Sequence, residues 1–124
     1  MKLANNFLLA CAIEALGEAF ALVEKSGVDA GVFHDMVTDG MFASPAYNTY
    51  AKIIAEKDWD RVGFTVALAL KDVNLALAAG NIAGVPMPSA NTCRDRLLGA
   101  ISHGDAERDW AAMALEQARA SGLV

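Results

Sequence analysis

No Gly-x-Gly-x-x-Gly turn occurs in this chain, and no strand–helix alternation exists to hold one. Such a turn, opening a helix after a strand, is what cradles a dinucleotide pyrophosphate. The glycines are scattered singly between helical segments instead. Basic charge is also short. Ten Lys and Arg stand against fifteen Asp and Glu, a net charge of −5 with a pI near 4.8. That leaves no basic footprint for nucleic acid. Acidic charge of this size mostly serves solubility. The longest uninterrupted apolar run is Phe7 to Ile13, far short of the ~20 residues of a membrane span. No charged segment with a signal-type cleavage site precedes it. A cytoplasmic location is the expectation. Only two cysteines are present, Cys11 and Cys93, far apart in apolar helical stretches. They read as free buried thiols, with no second ligand beside either for a metal or redox role.

Apolar residues are what the chain has in plenty. It is 55% hydrophobic with mean hydropathy +0.30, rich for a single domain of 124 residues. The excess points to burial against something else: a further domain, a sister subunit, or both. The apolar pattern predicts an all-α domain of about six helices. The first runs from Lys2 to Lys25 and ends at Gly27. Leu3, Phe7, Ala10 and Glu14 share one face, but Leu8, Leu9, Ile13 and Leu16 load the others. A helix apolar nearly all round is buried on most sides. Asp29 caps a short second helix, which Gly40 ends. Ser44-Pro45 opens a third, carrying Tyr47, Tyr50, Ile53 and Ile54. The stretch from Lys57 to Gly63 connects. A fourth helix spans about Thr65 to Ala83. Pro86-Met87-Pro88-Ser89 breaks the chain and starts a fifth, to about Ser102. Gly104-Asp105 caps the last, which ends at Gly122.

The polar residues of the first helix gather at its start. Lys2 and Asn6 are four apart and therefore share a face. The helix dipole opposes a cation in the first turn, and an apolar pocket would oppose it too. A lysine so placed suits proton transfer to an oxygen. Asn6 offers one carbonyl acceptor and two N–H donors for a hydroxyl or carboxylate. Read alone, Lys2 is a solvated charge near the chain start, and Asn6 a local cap. Lys71 lies in an apolar helix, where charge is rarely buried unpaired. A surface lysine with its stem on the helix explains it equally well. Asp72 beside it reads as a solvated charge or a supporting partner. His34 and His103 have neither metal-type spacing nor a nucleophile beside them and read as surface or capping residues. Trp59 and Trp110 read as packing anchors. Met36, Met41, Met87 and Met113 read as core filler.

Lys2-Leu3-Ala4-Asn5-Asn6, followed at a distance by Phe64, Leu68 and Lys71-Asp72, resembles the C-terminal helical domain of the 3-hydroxyisobutyrate dehydrogenases. These are the β-hydroxyacid dehydrogenases, with a 6-phosphogluconate dehydrogenase-like C-terminal fold. The resemblance covers nearly the whole chain. It implies a catalytic acid/base at Lys2, a substrate contact at Asn6, and a cofactor contact at Lys71 with Phe64 lining the site. It implies NAD or NADP as cofactor of the complete enzyme, held largely by a Rossmann half expected before Met1. The substrate would be a small 3-hydroxy acid or the matching semialdehyde. The 6-phosphogluconate dehydrogenases carry histidine where this chain has Asn5, and imine reductases generally lack the lysine. The resemblance also implies a homodimer or homotetramer formed through the helical domain.

Two classes of function follow. One is the helical substrate and dimerisation domain, residues 1–124, of an NAD(P)-dependent dehydrogenase, inactive by itself and with no cofactor bound to it alone. The other is a non-enzymatic helical oligomerisation or binding module of the same descent. Lys2, Asn6 and Lys71 favour the first, since a scaffold has no need of them.

Overall fold

Side-chain caps set most of the helix starts. In the computed structural model, which describes all 124 residues, the Asp29 carboxylate accepts from the Gly31 and Val32 amides at 2.9 and 3.2 Å. The Ser44 hydroxyl accepts from Tyr47 N with Pro45 at the first helical position. Thr65 accepts from Leu68 N. Each bond satisfies an amide that the first turn leaves unpaired. The resulting elements are α1 (Lys2–Lys25), α2 (Ala30–Asp39), α3 (Pro45–Glu56), α4 (Val66–Ala83), α5 (Pro88–Ser102) and α6 (Met113–Ala120), with a 3-10 turn at Trp110–Ala112. There is no sheet, as the pattern predicts. The last helix starts later than expected. Gly104-Asp105 ends the α5 turn instead, and Asp109 caps the 3-10 turn through the Ala111 amide.

α1 is the helix on which the others assemble: α2, α3, α4, α5 and α6 all pack against it. Its buried residues are Ala10, Ile13, Glu14, Leu16, Gly17, Phe20 and Ala21, the spacing of one helical stripe. α4 buries Val66, Ala69, Val73, Ala76 and Gly80. Both stripes are rich in small side chains, which let helix backbones approach closely. At Gly17 an added Cβ would lie 3.0 Å from Ala114 Cα in α6, so any side chain there would force the two helices apart. Phe20 meets Phe33 of α2 edge to face at 4.9 Å. Trp59 and Trp110 are both buried, as packing anchors should be.

Three expectations need correction. First, α1 is not enclosed on most sides. Leu8, Ala15 and Leu22, each seven residues from the next, lie open. Leu68, Leu75 and Ile82 do the same on α4, with Ile82 at 88% exposure. Both helices are long and apolar enough to cross a membrane by length and composition alone, a test that core helices of soluble proteins also pass. Here each packs one stripe into a helical core, and α1 carries a buried charge. Second, of the four methionines read as core filler, Met113 is core and Met87 packs against it, but Met36 and Met41 are exposed. A side chain with no polar atom reveals nothing in sequence about which face it occupies. Third, Cys11 and Cys93 are not isolated. They are 82 residues apart in sequence, yet their Sγ atoms lie 3.9 Å apart between α1 and α5.

The buried charge of α1 is Glu14, 4% exposed. Its Oε1 accepts from Arg96 Nε of α5 at 3.1 Å, and Arg96 also donates to Gln117 of α6. Its Oε2 is buried with no partner. Burial therefore outweighs the pull of Arg96, with the nearby Glu18 carboxylate adding to it, and the Glu14 carboxyl is pushed up to about 7. The sign follows from proton linkage. Between the ordinary carboxylate value and ~7, the folded chain holds a proton that the unfolded chain has lost. Stability from this group is complete below that window and falls as pH rises through it, by on the order of 2–3 kcal/mol. Glu14→Gln should flatten that slope. Urea midpoints measured from pH 4.5 to 8 should fall steeply in the parent and less in the variant; parallel curves would mean that Glu14 is ionised throughout.

Candidate functional site

The first turn of α1 and the second turn of α4 meet through one hydrogen bond. Asn6 Nδ2 donates to Asp72 Oδ2 at 2.8 Å in a half-buried position. A carboxylate only accepts, so this bond fixes which end of the carboxamide is which. The Asn6 amide nitrogen faces Asp72, and its Oδ1 is left to accept from another group. Lys2 lies one helical turn before Asn6 on the same face, and Lys71 is the chain neighbour of Asp72. The bond thus brings the two sequence-predicted segments together at one end of the α1–α4 contact.

Both lysines are exposed. Neither takes part in an ion pair; every ion pair of the domain joins an arginine or a histidine to a carboxylate. The apolar pocket expected around Lys2 is not formed by this chain. Lys2, Asn6, Phe64 and Lys71 line none of the five best-formed hollows of the surface. What the chain supplies here is an oriented carboxamide, with the exposed Lys2 one turn before it and the exposed Lys71 one residue from its Asp72 partner.

Phe64 sits just ahead of α4, half-buried. Its ring meets Trp110 edge to face at 4.9 Å. Its amide donates to Asp109 Oδ2 at 3.3 Å, and its carbonyl accepts from Trp110 N at 2.8 Å. Buried Asp109 also accepts from the Gly63 amide. The 59–65 segment is therefore stitched to the 105–110 segment, with further backbone bonds Val66 N to Arg108 O and Ala67 N to Ala106 O. This stitching sets where α4 begins and hence where Phe64, Leu68 and Lys71 fall. Trp110 in turn donates to the Tyr50 hydroxyl at 2.9 Å, which ties the same corner to α3. Asp109 and Trp110 carry no motif that marks them in sequence. Asp72 had only its place beside Lys71 to single it out, and its partner across the fold was not legible.

These features define an all-α domain with an oriented polar cluster at the head of its main helix. A family profile described as the NAD-binding domain of NADP-dependent 3-hydroxyisobutyrate dehydrogenase matches residues 1–116, and the chain belongs to that family. It is 38% identical over 112 residues to an uncharacterized oxidoreductase of Bacillus subtilis, covering 90% of this chain and 39% of the relative. It is 27% identical over 112 residues to the 2-hydroxy-3-oxopropionate reductase of Escherichia coli, covering 90% of this chain and 38% of that enzyme. Among solved structures, it superposes on a Mycobacterium tuberculosis 3-hydroxyisobutyrate dehydrogenase with L-serine at TM-score 0.78 and 29% identity, over 92% of this chain and 41% of that one. A Salmonella typhimurium 3-hydroxyisobutyrate dehydrogenase superposes at TM-score 0.85, over 92% of this chain and 40% of that one; at 24% identity it speaks for the fold alone. The chain spans about two-fifths of the length of these relatives.

The Asn6–Asp72 bond can be weighed by a double-mutant cycle. Asn6→Ala and Asp72→Ala should each cost about 1.5–3 kcal/mol, the scale of a hydrogen bond to a charged acceptor. The double variant should cost clearly less than the two combined. Chemical denaturation of the three variants measures it, and strict additivity would mean that the two side chains do not interact in solution.

Proposed function

We propose that residues 1–124 form the helical substrate-side domain of an NAD(P)-dependent dehydrogenase acting on a small 3-hydroxy acid or its semialdehyde. The observation that carries the reading is the Asn6–Asp72 bond, because it joins the Lys2-Asn6 turn to the Lys71-Asp72 turn. In the complete enzyme, Lys2 takes the hydroxyl proton of the substrate during oxidation and returns it to the oxygen during reduction. Asn6, its amide nitrogen held by Asp72, contacts and orients the substrate, and the single hydroxyl proton is left to Lys2. Both groups gain strength once a second domain closes over them and excludes water.

The residues present also fit a nicotinamide cofactor. Lys71 is exposed and without a carboxylate partner, and Phe64 offers a half-open ring held firmly by Trp110. Lys71 would contact the cofactor and Phe64 would line the site. The cofactor, when bound, supplies the hydride acceptor or donor. The chain alone, lacking a Gly-rich phosphate turn, would not turn over and would bind nicotinamide dinucleotides poorly.

In the complete enzyme, Lys2→Ala should lower kcat by roughly 10²–10⁴, the usual scale for a lost general acid/base. Steady-state kinetics with the hydroxy acid decide it. A change confined to KM would make Lys2 a binding residue.

The open stripes of α1 and α4 also support self-association. Leu8 and Leu22 on one helix, and Leu68, Leu75 and Ile82 on the other, are more apolar surface than a small monomer usually leaves in water. A two-fold dimer is the simplest closed arrangement, and its interface should bury at least ~1,000 Å². Analytical ultracentrifugation at tens of micromolar should show it; a single monomeric species would overturn this part of the reading.

A further inference from the structure

Cys11 and Cys93 meet where α1 crosses α5, with 3.9 Å between their sulfur atoms. Both are free thiols. Both line one surface hollow, together with Glu14, Glu18, Ser89 and Thr92, through which a reagent can reach the half-buried Cys11. No third His, Cys, Asp or Glu is placed to complete a metal site with them. A disulfide needs ~2.05 Å between sulfurs, so the two sulfur atoms, already neighbours, must close further for the bond to form.

We propose that Cys11 and Cys93 are a dithiol modification site that closes to an intramolecular disulfide on exposure to a low-molecular-weight disulfide. The two sulfurs have different roles. Cys11 is half-buried and Cys93 fully buried. The Cys93 S–H points at Cys11 Sγ and donates to it. Burial pushes both thiols up, but this contact works against the shift at Cys11 and adds to it at Cys93. Cys11 therefore ionises first and is the attacking group. Its thiolate bonds to one sulfur of the reagent, and the other sulfur leaves as a thiolate that takes up a proton. Cys93 then gives up its proton and bonds to Cys11 Sγ, and the second reagent thiolate leaves. Two protein thiols are oxidised to one disulfide, and the reagent disulfide is reduced to two thiols. Because the attacking thiol holds its proton above the ordinary value, the reaction should quicken as pH rises.

The bridge would close a loop between residues 82 apart and tie α1 to α5. On chain entropy alone, a loop that long should raise Tm by on the order of 10 °C. The test treats the chain with oxidised glutathione at pH 8, alkylates the remaining thiols and weighs the product. The parent should lose two hydrogens, carry no glutathione, resist alkylation and melt higher. Cys93→Ser should stop at a stable glutathione adduct on Cys11, and Cys11→Ser should stay unmodified. Persistent glutathione on the parent, disulfide-linked dimers, or two thiols still open to alkylation would each overturn the proposal. The parent experiment stands by itself should either serine variant fail to fold.

Discussion

The packed face of α1 is the constraint on which the rest of the domain depends. Five other helices lean on this one stripe, so its side chains set five approach distances at once. That explains its mixture of sizes. Ile13, Leu16 and Phe20 fill the wide gaps, while Ala10, Gly17 and Ala21 admit a neighbour's backbone. Gly17 is the tightest of these, hard against Ala114. Close packing of this kind is unforgiving because protein interiors have little free volume to absorb an added carbon. It also fixes the rotation of α1 about its axis. Once the stripe faces inward, Lys2 and Asn6 have only one direction left to face.

The Asn6–Asp72 contact is a by-product of that rotation. α4 crosses the head of α1 with its own small-residue stripe inward, and Asp72 then falls beside Asn6. Neither lysine is paired or enclosed. Placing charge on an exposed surface costs little in the free domain. The same charges become strong where water is excluded.

Charge buried inside the domain tells the opposite story. Glu14 lies in the middle of the α1 stripe with one oxygen on Arg96 and the other unsatisfied, and burial raises its affinity for a proton. Such a group adds little net stability. It does tie α1, α5 and α6 into one register, since Arg96 reaches both Glu14 and Gln117. Asp105, Glu116 and Arg119 make a second such knot, with His103 on its edge. These contacts explain why the domain tolerates open apolar stripes elsewhere without losing a single arrangement of its helices.

Helix number, most helix ends and the family were legible in the chain itself. Caps such as Asp29, Ser44-Pro45 and Thr65 act within three or four residues, so local order in the sequence is enough to reveal them. The same holds for Lys2 and Asn6, which one helical turn relates. What failed was everything that depends on rotation about a helix axis or on residues distant in the chain. The open faces of α1 and α4 could not be told from the buried ones, because both carry leucine and alanine at helical spacing. The late start of α6 reflects a backbone stitch between the 59–65 and 105–110 segments. The pairings Asn6–Asp72, Glu14–Arg96 and Cys11–Cys93 join residues 66, 82 and 82 apart in the chain. Composition decided that these residues would form helices; only packing, which sums many weak contacts at once, decided which of them would meet.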